Sequence, residues 1–537
     1  MRRMVSATAF LVGLGLLASA YLTATASPAT GERVLRLNVN STDIRFLDPA
    51  LNYEFYGWRL EAATCAMLLG YPDKRGPASA RLYAEVARGF PKVTNGGRMY
   101  TFTIRPGFRF SDGTAVTAAS YARAFERALS PKMQSPAASF LGDVVGASAV
   151  LAGKATTPSG VRASGNTLTV RLTKAAPDFL SRIAMPFFCA VPANLPINPN
   201  GVNTPPGAGP YYVSSKTVNK QIVLQKNPYY GGSRPQRWDT IHVAVGMAEQ
   251  TSYLQVRNGE VDLDLYGLPA AAHTELTKTY GINKSRYFVN PSNSIGYFAL
   301  NTSRGLFKDP KARQAVAFAV NRPALTNLAG LNAGRPNEQI LPPGIPGYRD
   351  ENIYPLARPN VARAKALLAG RTAKIVMYTT NDRTGINTGQ MVKANLAAIG
   401  LDVEVKAYTF GVLIDKTGTR GEPFDLMSIG WFADYPDPYD FINILLDGRT
   451  IAAKNNVNVS YFNVPAYQKK MDAAARLAGD ARYRAYGTLD IDITRNQSPL
   501  VITNNQNVRE FISSKVGCAT YSYAWGGLNL VLLCPKR

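Results

Sequence analysis

The chain has 537 residues, 46% of them apolar and 18% charged, and a formal net charge of +24. That length exceeds what one hydrophobic core normally supports, so two or more domains are expected, and the composition excludes a disordered chain. The basic excess does not read as nucleic-acid binding, because Lys and Arg are scattered singly, with no long basic run and no basic helix interleaved with stacking aromatics.

The first residues read as a secretory signal over 1–26. Arg2 and Arg3 form its charged end, Phe10 to Leu22 its short apolar core, and Ala18-Ser-Ala20 and Ala24-Thr-Ala26 are cleavage candidates. The apolar core is too short for a membrane span, and no later apolar stretch is long enough. No cysteine lies near the cleavage candidates, so an exported protein without a lipoprotein anchor is expected. Cleavage would remove Arg2 and Arg3 and leave +22, a charge suited to electrostatic retention at an anionic envelope surface.

Val34 to Val39 alternates as a strand, and Glu54 to Leu69 reads as a helix. Arg98 to Arg105 alternates polar and apolar after the turn Asn95-Gly-Gly97, as a half-buried antiparallel strand does. Thr117 caps a helix that repeats Tyr121, Phe125 and Leu129 at helical spacing. Thr167 to Leu172 is a further strand, and Ala176-Pro-Asp-Phe opens a helix. The proline- and glycine-rich passage Pro192 to Pro210 reads as a crossover. Beyond it lie strands at Gln221–Leu224, Thr240–Val245 and Val261–Leu265, with a helix at Thr251–Gly259. Helices at Pro310–Val320, Val361–Leu368 and Thr388–Ile399 then alternate with strands at Lys374–Tyr378 and Asp402–Val405, which suggests a separate sheet covered by helices.

Phe424 to Ile429 reads as a buried strand, followed by Gly430-Trp-Phe-Ala-Asp-Tyr-Pro-Asp-Pro438. Two prolines stiffen this stretch, which reads as a loop presenting Trp431, Asp434 and Asp437 near a strand's carboxyl end, where α/β folds place ligands. The same residues also suit an Asx-turn in which both aspartates satisfy local N–H groups. The four cysteines allow three pairings in an oxidising compartment. Cys518 and Cys534 close a short C-terminal loop, which leaves Cys65 and Cys189 as a long-range pair. Metal ligation would need closer spacing or histidine partners, and no cofactor is expected. His242 falls in a strand pattern and His273 follows an alanine run. No serine elbow, Ser-x-x-Lys or His-Glu-x-x-His motif is present, so an enzyme is not expected.

Four stretches, in order and at the right spacing, resemble the extracytoplasmic solute-binding proteins of peptide-type ABC importers, the family 5 solute-binding proteins. They are Arg98 to Thr114 with Ala124 to Pro131; Gly209-Pro-Tyr-Tyr212 with Asn227-Pro-Tyr-Tyr230 and Asn258 to Asp262; Phe298-Ala-Leu-Asn301 with Asp309 to Val316 and Ala319-Val-Asn-Arg322; and Trp431 to Pro438. The resemblance implies an α/β, two-lobed hinged periplasmic-binding-protein-like fold with an extra inserted α+β domain in the first lobe. Lobe I would comprise 33–75, 200–292 and 505–537, the inserted domain 76–199, and lobe II 293–504. A Cys65–Cys189 bridge would tie lobe I to the end of the inserted domain.

It further implies a monomer that captures a peptide-like ligand between the lobes and hands it to ABC transporter permease subunits. A metal chelate, haem or oligosaccharide is the alternative cargo. Asp434 matches the aspartate that receives the ligand's α-ammonium group in peptide-binding relatives. Trp431 would wall the site, and Glu54, Phe55 and Tyr56 would face it from lobe I. Some dipeptide-binding relatives carry a carboxylate-clamping arginine where this chain has Thr379-Thr-Asn381. The nearest arginine, Arg383, reads as a surface charge, so free-dipeptide specificity is not expected.

Overall fold

The computed structural model describes residues 31–39, 44–74 and 76–536. The expected signal segment lies outside the described residues. Val34–Val39 runs parallel to Thr240–Val245 on one side and to Leu263–Asp264 on the other. Antiparallel Gln221–Lys226 and Tyr211–Thr217 complete a five-stranded mixed sheet. The strand expected over Val261–Leu265 is therefore only two residues long.

A second, wholly antiparallel sheet of four strands is ordered Lys92–Thr94, Met99–Thr103, Thr167–Arg171, Val161–Ser164. Its alternation works as read from sequence. Tyr100 and Phe102 pair with Val170 and Leu168, and these side chains share one buried core with Tyr121, Phe125 and Leu129 of the helix Ala118–Leu129. At that helix's start the Thr117 amide donates to Ser120 Oγ at 3.2 Å.

The third sheet has seven strands, with Ser294–Leu300 at its centre and buried at every position. Ser294–Leu300 pairs antiparallel with both Leu426–Phe432 and Leu500–Phe511. The lower half of Leu500–Phe511 pairs instead with Tyr287–Pro291, Tyr287 opposite Phe511 and Pro291 opposite Asn507. Two chain crossings between the first and third sheets therefore run side by side.

Two expectations need correction. The helix expected to reach Leu69 ends at Thr64, and Cys65 is extended. The carbonyls that would continue it are taken elsewhere: Gly209 N donates to Thr64 O at 2.8 Å, and the Arg234 guanidinium donates to Ala62 O and Cys65 O. Gly209 must be glycine there, because a Cβ would stand 2.6 Å from Ala63 O. The second correction concerns Trp431 and Phe432, which continue the strand Leu426–Phe432 rather than opening a loop. Their register against Ile295 and Ser294 extends the ladder by two residues.

Three of the motif residues that carried the resemblance are structural ties: Asn227, Asp309 and Arg322. Asn227 Nδ2 donates to Arg109 O, Gly207 O and Gly209 O. Asp309 caps the helix Pro310–Ala319 through Lys311 N at 2.9 Å. Arg322 is buried and donates from Nε to Ile502 O at 2.9 Å and from Nη1 to Ala317 O at 2.9 Å. Cys65 is joined to Cys189, and Cys518 to Cys534. Among the described residues no helix is long and apolar enough to cross a membrane.

Candidate functional site

The strand Leu426–Phe432 delivers the chain to Ala433, whose amide donates to Asn293 O at 2.8 Å. Asp434 follows and is held from two directions. Its amide donates to Asp440 Oδ2 at 3.0 Å, on the first turn of the helix Tyr439–Leu446. Its carboxylate accepts the Tyr53 hydroxyl, 2.8 Å from Oδ1 and 2.7 Å from Oδ2. Tyr53 precedes the helix Phe55–Thr64 on the side of the first sheet, so this contact bridges the cleft between the first and third sheets.

Above Asp434 lies a cavity of about 150 Å³. Tyr53, Glu54, Phe55 and Trp58 line one wall, Phe432 and Ala433 the opposite one, and Ser292 and Asn293 the hinge side. Phe55 and Phe432, one from each wall, are in contact, with ring centroids 5.3 Å apart and planes tilted by 47°. Glu54 is anchored by the Arg45 amide, 2.7 Å from its Oε2. The remaining wall comes from Tyr523, Ala524, Trp525 and Gly526. Sequence reasoning missed these four, although the aromatic run Tyr521, Tyr523, Trp525 inside the Cys518–Cys534 loop was a usable signal.

The other predicted residues fall elsewhere. Trp431 does not line the cavity: its ring packs on the core of the third-sheet side, and Nε1 donates to Asp440 Oδ2 at 3.2 Å. It therefore supports Asp434 from behind. Tyr56 also turns away, donating to Tyr266 O at 3.0 Å. Asp437 makes the turn contact expected of it, accepting Tyr439 N at 2.8 Å, and adds a buried ion pair with Arg482 at 2.8 Å. Tyr435 donates to Asp178 Oδ2 at 3.2 Å, which ties this stretch to the four-stranded domain. Arg383 begins a helix and is exposed. His273 is buried with Nδ1 2.9 Å from the Tyr287 hydroxyl, and burial, with Arg509 nearby, pushes its pKa down to about 4.

Electrostatics single out Asp434. Burial pushes its carboxyl up to about 7, against the opposing hydrogen bonds from Tyr53 and Asp440. Asp440 is driven well up, first by burial and then by the neighbouring Asp434, so it holds its proton while Asp434 ionises. A single carboxylate of this kind, under a small aromatic chamber, suits a cationic hydrogen-bond donor. Among the described residues no group of three or more His, Cys, Asp or Glu could hold a metal ion.

Residues 81–453 match the family model of bacterial extracellular solute-binding proteins, family 5 Middle. The chain belongs to this family. Among its curated relatives, the family 5 chain is 27% identical to the periplasmic oligopeptide-binding protein OppA of Salmonella typhimurium over 413 residues, 72% of each chain. It is 26% identical to the probable deoxycholate-binding periplasmic protein YgiS of Escherichia coli, over 91% of each. Among solved structures, the clavulanic acid biosynthesis oligopeptide binding protein 2 superposes with a TM-score of 0.86 at 23% identity, over 94% of this chain and 96% of that one. The periplasmic binding protein DppA from Helicobacter pylori, solved with the peptide STSA, gives 0.75 at 21% identity over 94% and 98%. The fold of this family 5 protein is accordingly α/β and two-lobed.

Proposed function

We propose that this protein captures a peptide-like solute with a free amino terminus between its two lobes and passes it to the permease subunits of an ABC importer. Asp434, buried at the cavity floor and reached from the opposite lobe by Tyr53, carries the reading. A ligand ammonium there would replace or share the Tyr53 hydrogen bonds. The strand edge above adds support. Ala373–Thr380 pairs with Leu426–Phe432 only at Met377–Leu426 and Tyr378–Met427. On the side away from Ser294–Leu300, the edge from Ser428 to Phe432 thus has no strand beside it among the described residues and offers backbone groups to an extended ligand. Contacts with both lobes would favour closure by the difference in affinity between open and closed states. Two relatives named for oligopeptide binding, one curated and one of solved structure, agree with this cargo.

The reading places lobe I at 33–75, 200–292 and 505–537, the inserted domain at 76–199 and lobe II at 293–504. It treats the protein as an exported monomer that binds without turnover. Native mass spectrometry of protein taken from its host tests the cargo directly. Peptides are expected at one per chain; recovery of only a sugar, haem or metal chelate would overturn the peptide assignment and leave solute capture standing.

The raised Asp434 pKa also sets a pH dependence. The contact needs both the carboxylate and the ligand's ammonium, so affinity should fall about tenfold per unit as pH drops below about 7 and fall again above about 8, where the peptide's amino group loses its proton. An N-acetylated peptide should lack that slope. Titrations of both peptides across pH 5 to 8.5 would check this, and parallel profiles would remove Asp434 from the site. For stability the sign is opposite. A raised carboxyl pKa contributes fully below the unfolded value of about 3.9, and the contribution is lost as pH rises to about 7.

A further inference from the structure

The tail loop between Cys518 and Cys534 delivers Trp525 to the cavity wall, and both disulfides hold it there. The Trp525 ring meets Trp58 edge-on with centroids 6.4 Å apart. It also packs on the buried cluster of Cys65, Met67 and Cys189. The loop is seated against the helix Phe55–Thr64 by contacts only glycine permits. Gly526 has φ +62°, and a Cβ on it would stand 2.5 Å from the Phe55 ring. A Cβ on Gly527 would meet the Arg59 guanidinium at 2.4 Å, and Arg59 is itself locked in a buried ion pair with Glu510 at 2.6 Å. Trp525 is therefore placed from three sides: by its own disulfide loop, by the second disulfide beneath it, and by the helix.

The cavity that Trp525 helps enclose is about 150 Å³, the size that admits a benzene-sized apolar group. Tyr53, Phe55, Trp58, Phe432 and Tyr523 add aromatic surface to its other walls. An amino group on Asp434 would direct the substituent on the neighbouring carbon into those walls. We propose that Trp525, held by the Cys518–Cys534 bridge, selects the ligand's first side chain, favouring an aromatic or branched aliphatic group over hydrogen or a carboxylate. The proposal rests on the reading of Asp434 as the ammonium acceptor.

Calorimetric titration of the full oxidised chain with Phe-Ala-Ala, Leu-Ala-Ala, Gly-Ala-Ala and Glu-Ala-Ala tests it. The first two should bind at least about tenfold more tightly than the third, the usual scale for filling an apolar pocket, and the fourth most weakly. Trp525→Ala, and separately the double change Cys518→Ser with Cys534→Ser, should bring Phe-, Leu- and Gly-first peptides toward parity. They should do so by weakening the first two far more than Gly-Ala-Ala, with circular dichroism of each variant reporting that the chain is folded. Trp525→Phe should restore most of the preference. If Trp525→Ala does not fold, Trp525→Leu carries the same comparison. An unchanged preference, or equal weakening of every peptide, would overturn the role of Trp525 and leave Asp434 in place. Failure of the wild-type chain to bind any of the four would instead remove the ammonium reading, and this inference with it.

Discussion

Asp434→Ala lowers affinity for a peptide with a free amino terminus by about ten- to a hundredfold, the equivalent of about 1.5–3 kcal/mol for a hydrogen bond to a charged group. The N-acetylated form of the same peptide should lose much less. The reason is local. Asp434 is 8% exposed, its neighbour Asp440 holds a proton, and its carboxylate accepts from the neutral Tyr53 hydroxyl. An incoming ammonium meets a carboxylate that, among the described residues, no cation already neutralises at close range. Asp434→Asn keeps the shape and a partner for Tyr53 but not the charge, so it should behave like alanine toward the free amine. Equal losses for the free and acetylated peptides would assign Asp434 to the turn alone.

Arg127→Met destabilises the protein by about 3–5 kcal/mol, the cost of leaving a buried charge without its partner. Both Arg127 and Asp48 are fully buried, joined by two hydrogen bonds of 2.7 and 2.6 Å. Asp48 also accepts Val202 N at 2.9 Å, and Arg127 donates from Nε to Pro196 O at 2.9 Å. One pair thus pins the helix Ala118–Leu129, the turn after the first strand and the proline-rich crossover together. The lowest-temperature calorimetric transition should move down in Arg127→Met. The double variant with Asp48→Leu should recover part of the loss, because no charge is then left buried. A single variant that unfolds like wild type would show that the pair contributes nothing net.

How much of this was legible beforehand depended on the range of the physics involved. Tyr121, Phe125 and Leu129 announce their helix because helical period is a property of a dozen consecutive residues. Tyr100 and Phe102 announce a half-buried strand for the same reason. The stop signal of the helix from Phe55 is not in the neighbouring sequence: Arg234 and Gly209 take its carbonyls from more than a hundred residues away. Trp431 reads as loop because the prolines after it are visible in the sequence, whereas its pairing with Ile295 is not.

At the site the division is sharper. From the chain itself came the buried strand before Gly430 and the proline-stiffened turn with Asp434, while Glu54 and Phe55 came only from the resemblance. Each is a local pattern or an ordered motif, and Asp434, Glu54 and Phe55 all line the cavity. Only the tertiary structure put Tyr53 on Asp434, 381 residues away, moved Trp431 behind the aspartate, and brought Trp525 from the C-terminal loop to close the wall. The sequence determines which segments are rigid, apolar or capped, because those depend on neighbouring residues. Which carboxylate becomes a buried acceptor depends on distant surfaces excluding water from it, and that is decided when the chain packs.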